Sequence, residues 1–193
     1  MANQGLGPNG AQIACADMAA LQFPEISKVI EDFRADYFLI DTPGQIELFA
    51  FREASKIFLD AFTSPNAIIV FVLDPAVAKT PAGLVSLLIL STSIQSRFQA
   101  PTELVLGKSD LLEEEELGTI IDRCQYPDRL INDLELEGME MQEVAAVEFM
   151  RAMESLDIHR KPIPVSGLEA EGIEDLYNTI QQIFFGGEDL RPD

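Results

Sequence analysis

The sequence predicts an α/β protein built on a mostly parallel β-sheet flanked by helices, and three observations carry that expectation. Short continuous apolar runs, among them AIIVFVL at 67–73 and TELVL at 102–106, read as strands buried on both faces. Segments of helical apolar spacing separate these runs, the alternation that crossover connections impose on parallel strands. Each run stops at loop punctuation: Asp-Thr-Pro-Gly at 41–44, Asp-Pro at 74–75, Gly-Lys-Ser-Asp at 107–110 and Ser-Gly at 166–167. In open sheets of this kind ligands sit beyond the carboxyl ends of the strands, so these four loops are read together.

Taken in order, residues Ala11 to Arg34 place apolar side chains at roughly helical spacing (Ile13, Met18, Leu21, Ile26, Ile30, Phe33). Pro24 interrupts them, which predicts one broken helix or two. Tyr37-Phe38-Leu39-Ile40 is a short apolar run that predicts a buried strand, and helical spacing resumes from Ile46 towards Phe62. Further strands are predicted over AIIVFVLD (67–74), TELVLG (102–107) and PIPVS (162–166). The stretch from Leu111 to Leu156 is mostly amphipathic helix. Its acidic run EEEE at 113–116 is a solvated first turn, where carboxylates favour the helix dipole. Residues 172–185 supply a closing helix. With no repeat or low-complexity linker, residues 1–193 are expected to form a single domain.

Composition narrows the function. A hydrophobic content of 47% gives ample material for a core, and a net charge of −20 opposes approach to a nucleic-acid backbone or an anionic membrane. No nucleic-acid or membrane partner is therefore expected, and any phosphate ligand must be held by local geometry. Cys15 and Cys124 lie far apart and His159 is the sole histidine, too few ligands for a structural zinc cluster. The longest apolar run is too short to span a bilayer, which with the unpaired cysteines predicts a reduced, cytoplasmic setting.

Two loops suggest chemistry. In DTPGQ, 41–45, a carboxylate leaving a strand suits Mg²⁺, a glycine lets a backbone N–H approach phosphate, and a glutamine suits orientation of a water. The same residues also suit a plain strand-to-helix turn. In GKSD, 107–110, an Asp can accept from guanine N1–H and the exocyclic amine while a Lys stem lies over the base. Here the other reading is a helix N-cap at Ser109 or Asp110. A third stretch, GLGPNGAQ at 5–12, has the glycine spacing of a phosphate-binding loop but places Ala11 and Gln12 where that loop needs Lys and Ser or Thr.

The ordered set of DTPG, K-x-D and a Ser-Gly loop resembles the third, fourth and fifth signature regions of a GTPase. More specifically, GPN at 7–9 followed by DTPGQIELF at 41–49 resembles the GPN-loop GTPases, and the likeness runs from Gly5 to about Leu176. The resemblance implies a P-loop NTPase fold and Mg²⁺-dependent hydrolysis of GTP to GDP and phosphate. It also implies a cytoplasmic homodimer with an assembly or chaperone role towards an unidentified client protein. It assigns Asn9 and Gln45 to catalysis, Asn9 acting across the dimer interface. Gly7, Pro8, Gly44, Lys108, Asp110 and Ser166 fall to nucleotide binding, and Asp41 to the metal.

The same comparison marks departures. A family member is expected to open with a strand and a Walker A loop, G-x-x-x-x-G-K-[ST], and only four residues precede Gly5 here. Lys79-Thr80 has the right pair, but no glycine among the preceding residues 74–78 supplies a backbone nest. An amino-terminally shortened chain, missing its first strand and Walker A loop and weak in activity alone, is the resulting expectation. Gly107 in place of Asn, and Gly167-Leu168 in place of Ala-Lys, weaken guanine selectivity. The alternatives are a nucleotide-free remnant that dimerises or binds a protein, and an ATPase of relaxed base preference. His159 receives no function.

Overall fold

A computed structural model describes residues 7, 10, 14, 15, 17, 18, 21–33, 35–42, 57, 67–137, 141–155 and 161–185. The chain divides into two compact units, Met1–Ala67 and Ile68–Asp193.

In the first unit, residues 10, 14, 15, 17 and 18 are helical, residues 21 and 22 turn, and helix α1 follows over Phe23–Glu31. Pro24 stands within the first turn of α1, where its missing N–H costs nothing. It therefore starts this helix instead of kinking it, the second of the two alternatives left open, one broken helix or two. Among the described residues the strand expected over 37–40 is not found: residues 37–40 are in irregular conformation, and Leu39 is 96% exposed. An apolar run becomes a strand only where a neighbouring backbone takes up its N–H and C=O groups. Most of the helix expected from Ile46 to Phe62 lies outside the described residues, of which only residue 57 is described, as helical.

The second unit is organised on a parallel three-stranded sheet of order β1-β2-β3, with β1 over Ile69–Leu73, β2 over Thr102–Gly107 and β3 over Ile163–Val165. Its register sets Leu73 beside Leu106, Leu106 beside Pro164, and Gly107 beside Val165. The three carboxyl ends are therefore level. All three strands fall inside the runs predicted for them.

Between β1 and β2 run the short helix α2, Pro75–Ala78, and the long helix α3, Pro81–Phe98. Thr80 caps α3, its Oγ1 accepting from Gly83 N–H at 3.2 Å, and Pro81 supplies a ready-made first-turn φ. Gln99, at φ 51°, ends it in a left-handed C-cap. Among the described residues, three α-helices link β2 to β3: α4 over Glu114–Gln125, α5 over Pro127–Glu137 and α6 over Met141–Ser155. Helix α7, Ile173–Phe185, closes the unit.

The core joins Leu73 and Leu106 of the sheet to Leu84 and Leu88 of α3 and to Ile120, Leu130, Leu134 and Met150 of the linking helices. Each such side chain contributes about 1.5–3 kcal/mol by leaving water. Arg123 stitches the helices from the rim: its Nε meets Asp133 Oδ2 at 2.7 Å and its Nη1 donates to the Lys79 carbonyl at 2.9 Å. The acidic run behaves as predicted. Glu113 caps α4, and the Glu116 carboxylate reaches back to accept from the Glu113 N–H at 3.0 Å. Among the described residues, no helix is long and apolar enough to cross a membrane.

Candidate functional site

The level ends of the three strands deliver Asp74, Lys108 and Ser166 to one edge of the sheet, the edge where parallel sheets bind ligands. Each is set by the local chain. Asp74 leaves β1 and caps α2, its Oδ1 accepting from Ala76 N–H at 2.9 Å. Lys108 leaves β2 in the left-handed region, φ 52° and ψ 42°, so that residues 109–111 turn at once into a single 3₁₀ turn. Non-glycine residues are held there only when their surroundings insist on it, and such strain gathers at functional sites.

That turn brings Asp110 back over β3. The Ser166 hydroxyl, with no exposed surface, donates to Asp110 Oδ1 at 2.6 Å and accepts from Glu169 N–H at 3.1 Å. This answers the question left open for GKSD: Asp110 does not cap a helix, because α4 is capped by Glu113, and its carboxylate is engaged instead by a residue 56 positions away. A short O–H···O⁻ bond of this kind fixes the plane of the carboxylate. The loop that carries Ser166 is itself tight. Ser166 N–H donates to the Glu171 carbonyl at 3.0 Å, and Gly172 adopts φ 73°, where an added Cβ would lie 1.9 Å from the Pro164 carbonyl oxygen. Only glycine fits there.

Lys108 Nζ stands 3.7 Å from Asp74 Oδ2, a partly exposed pair across two strand ends. Lys79 and Thr80, set aside above as a phosphate-binding pair, have structural partners: Lys79 Nζ pairs with Glu116 Oε1 at 2.8 Å, and Thr80 caps α3. Hydrogen bonding from Lys79, helped by the Glu113 amide, holds the Glu116 carboxyl below its usual range. Burial pushes the Cys124 thiol up to about 12.

Of the residues singled out from sequence, the structure thus brings Lys108, Asp110 and Ser166 together. Asp41 is exposed at the end of the described 35–42 segment of the first unit, and Gly7 is exposed with open space around it. Pro8, Asn9, Gly44 and Gln45, like His159, lie outside the described residues. Among the described residues, no group of three His, Cys, Asp or Glu side chains is placed to hold a metal ion. Asp74 was missed. Its signal was present in the sequence as an Asp-Pro pair closing a buried run, the signature of an N-cap at a strand's carboxyl end.

Comparison with known proteins places the chain in a family. A family model described as a conserved hypothetical ATP binding protein matches residues 1–185. A GPN-loop GTPase of Pyrococcus abyssi is 31% identical over 175 residues, spanning 90% of this chain and 69% of that protein. GPN-loop GTPase 1 of Dictyostelium discoideum is 26% identical over 183 residues, 91% of this chain but 44% of its own length. Among solved structures, that of a GTPase in apo form from Pyrococcus abyssi superposes with a TM-score of 0.80 at 30% identity, covering 94% of this chain and 73% of that one. The sequence match covers 90% and the superposition 94% of this chain. The chain belongs to the GPN-loop GTPase family.

Proposed function

We propose that this chain binds guanine nucleotide at the loops following β2 and β3, as the base-recognising part of a Mg²⁺-dependent GTPase acting on GTP to give GDP and phosphate. Family membership supports GTP hydrolase activity; the observation that carries the base assignment is the 2.6 Å bond from Ser166 to Asp110. A carboxylate has about four lone-pair sites. With one taken by the buried hydroxyl, the oriented group keeps acceptors for guanine N1–H and its exocyclic amine. Adenine offers no such donor pair, which favours GTP over the ATP named by the family model's description. Lys108 lays its aliphatic stem along the base.

Asp41 is the residue that would hold Mg²⁺, and a lone carboxylate fits an ion that takes most of its ligands from water and phosphate. Bound there, the ion would neutralise phosphate charge. Asn9 and Gln45 are assigned to the hydrolytic step, Asn9 from a second copy of the chain, with Gly7, Pro8 and Gly44 shaping the phosphate side. A cytoplasmic homodimer serving an unidentified client protein in an assembly or chaperone role completes the proposal.

Equilibrium binding of fluorescent GTP and ATP analogues, alongside phosphate release with and without Mg²⁺, tests it. Asp110→Ala should lower GTP affinity by roughly 10- to 100-fold, the worth of a charge-assisted hydrogen-bonded contact, and leave ATP affinity unchanged. Equal affinity of the unaltered protein for both nucleotides would refute the base assignment.

A further inference from the structure

Resting on the nucleotide reading above and deepening it, we infer that Asp74 is a positioning residue that fixes the Lys108 ammonium at the base-binding loops. Three observations lead there. Lys108 follows Gly107, which has no side chain with which to tether the loop, and a Cβ at that position would meet Val72 Cγ1 at 2.8 Å. Register then places Asp74 beside Gly107, because Leu73 pairs with Leu106. Finally, the two oxygens of Asp74 are divided between tasks. Oδ1 is held by Ala76 N–H at 2.9 Å, and Oδ2 faces Lys108 Nζ at 3.7 Å.

The division matters energetically. An exposed ion pair gains little because two long side chains must be ordered to make it. Here the carboxylate is already ordered by its cap, so only Lys108 loses freedom, and its backbone is fixed by the left-handed turn. The side chains are 68% and 51% exposed, so the pair contributes little to folding. What it sets is where the lysine stem lies before nucleotide arrives, and a stem already in place spares part of the ordering cost of binding.

Asp74→Asn separates the two tasks, since Asn caps helices as well as Asp but carries no charge. The full chain is ¹³C-dimethylated at its lysines, of which there are five, so that Lys108 can be followed by NMR, with Lys108→Met providing the assignment. The Lys108 methyl signal should shift in Asp74→Asn while the thermal midpoint holds. GTP affinity should fall about two- to five-fold, the range of an exposed pair. Asp74→Asn added to Lys108→Met should cause no further loss. A Lys108 signal indifferent to Asp74→Asn overturns the proposal whatever the nucleotide does. Losses that simply add in the double variant overturn it as well. An unaltered chain that binds no guanine nucleotide removes the underlying reading, and the role of Asp74 with it, a failure recognisable because the methyl shift would still be seen.

Discussion

Ser166→Ala is the sharpest probe of the strand-end cluster, because the hydroxyl it removes serves two partners at once. Ser166 has no exposed surface; its oxygen donates to Asp110 at 2.6 Å and accepts from the Glu169 N–H at 3.1 Å. Loss of the bond to a charged acceptor costs about 1.5–3 kcal/mol. Water partly replaces it, because Asp110 is only half-buried. The stranded Glu169 N–H adds up to about 1 kcal/mol, at the low end for an unsatisfied group because Glu169 is exposed and water can replace the hydroxyl. The net expectation is about 2–3 kcal/mol. For a chain of this length each kcal/mol lowers the midpoint by about 2–4 °C, so calorimetry should find a fall of roughly 4–12 °C. Ser166→Cys, similar in size but a weak donor, should fall between the parent and Ser166→Ala. A Ser166→Ala midpoint within about 2 °C of the parent, below the smallest shift that this range allows, would show that the hydroxyl is not engaged as described.

Three further outcomes are expected. Gly172→Ala forces a Cβ onto the Pro164 carbonyl at a positive φ, and urea unfolding should show a loss of about 3 kcal/mol or more, against little change for Gly118→Ala, which has open space and gains helix propensity. The two thiols should react at very different rates with a disulfide reagent near pH 8. Exposed Cys15 should label promptly, and buried Cys124, its thiol pushed up to about 12, should label only on unfolding. Glu116, held below the usual carboxylate range by Lys79, stabilises the fold above its unfolded titration, and that contribution is lost as pH falls through the folded value. Glu116→Gln should therefore flatten the acid limb of a stability-versus-pH curve measured by urea unfolding, and an unchanged limb would exclude the pair as a contributor.

The parts of the fold that were legible in sequence share one property. β1, β2 and β3 each stand in the sequence as an unbroken apolar run that finds its ladder partner within one unit, although only β2 is largely buried. In β1 Phe71 and Leu73 are buried while Val70 and Val72 are 37% and 60% exposed, so the expectation of burial on both faces does not hold for β1. Tyr37 to Ile40 carries the same signal and forms no strand among the described residues, since a ladder belongs to two segments and only one of them is visible in any run. Helix starts were legible for a related reason. Pro24 and the glutamates at 113–116 act on backbone groups within three or four residues of themselves.

The site divides along the same line. Residue types pointed to Lys108 and Asp110, and the family resemblance to Ser166, but within GKSD itself the helix cap was the favoured reading of Asp110, and nothing local decides between a cap and a partner 56 residues away. Register decides it. Once Gly107 pairs with Val165, the residues that follow them must emerge side by side, and a left-handed Lys108 turns Asp110 towards Ser166 instead of onward into a helix. Asp74 was hidden by the opposite circumstance, since its local role as a cap is complete in itself and gives no reason to look further. Its second oxygen acquires meaning only from the pairing of Leu73 with Leu106, which sets it beside the strand end that carries Lys108. The chemistry of such an edge is therefore a property of strand order, and substitutions that shift the register of β2 should disable base recognition even with every loop residue intact.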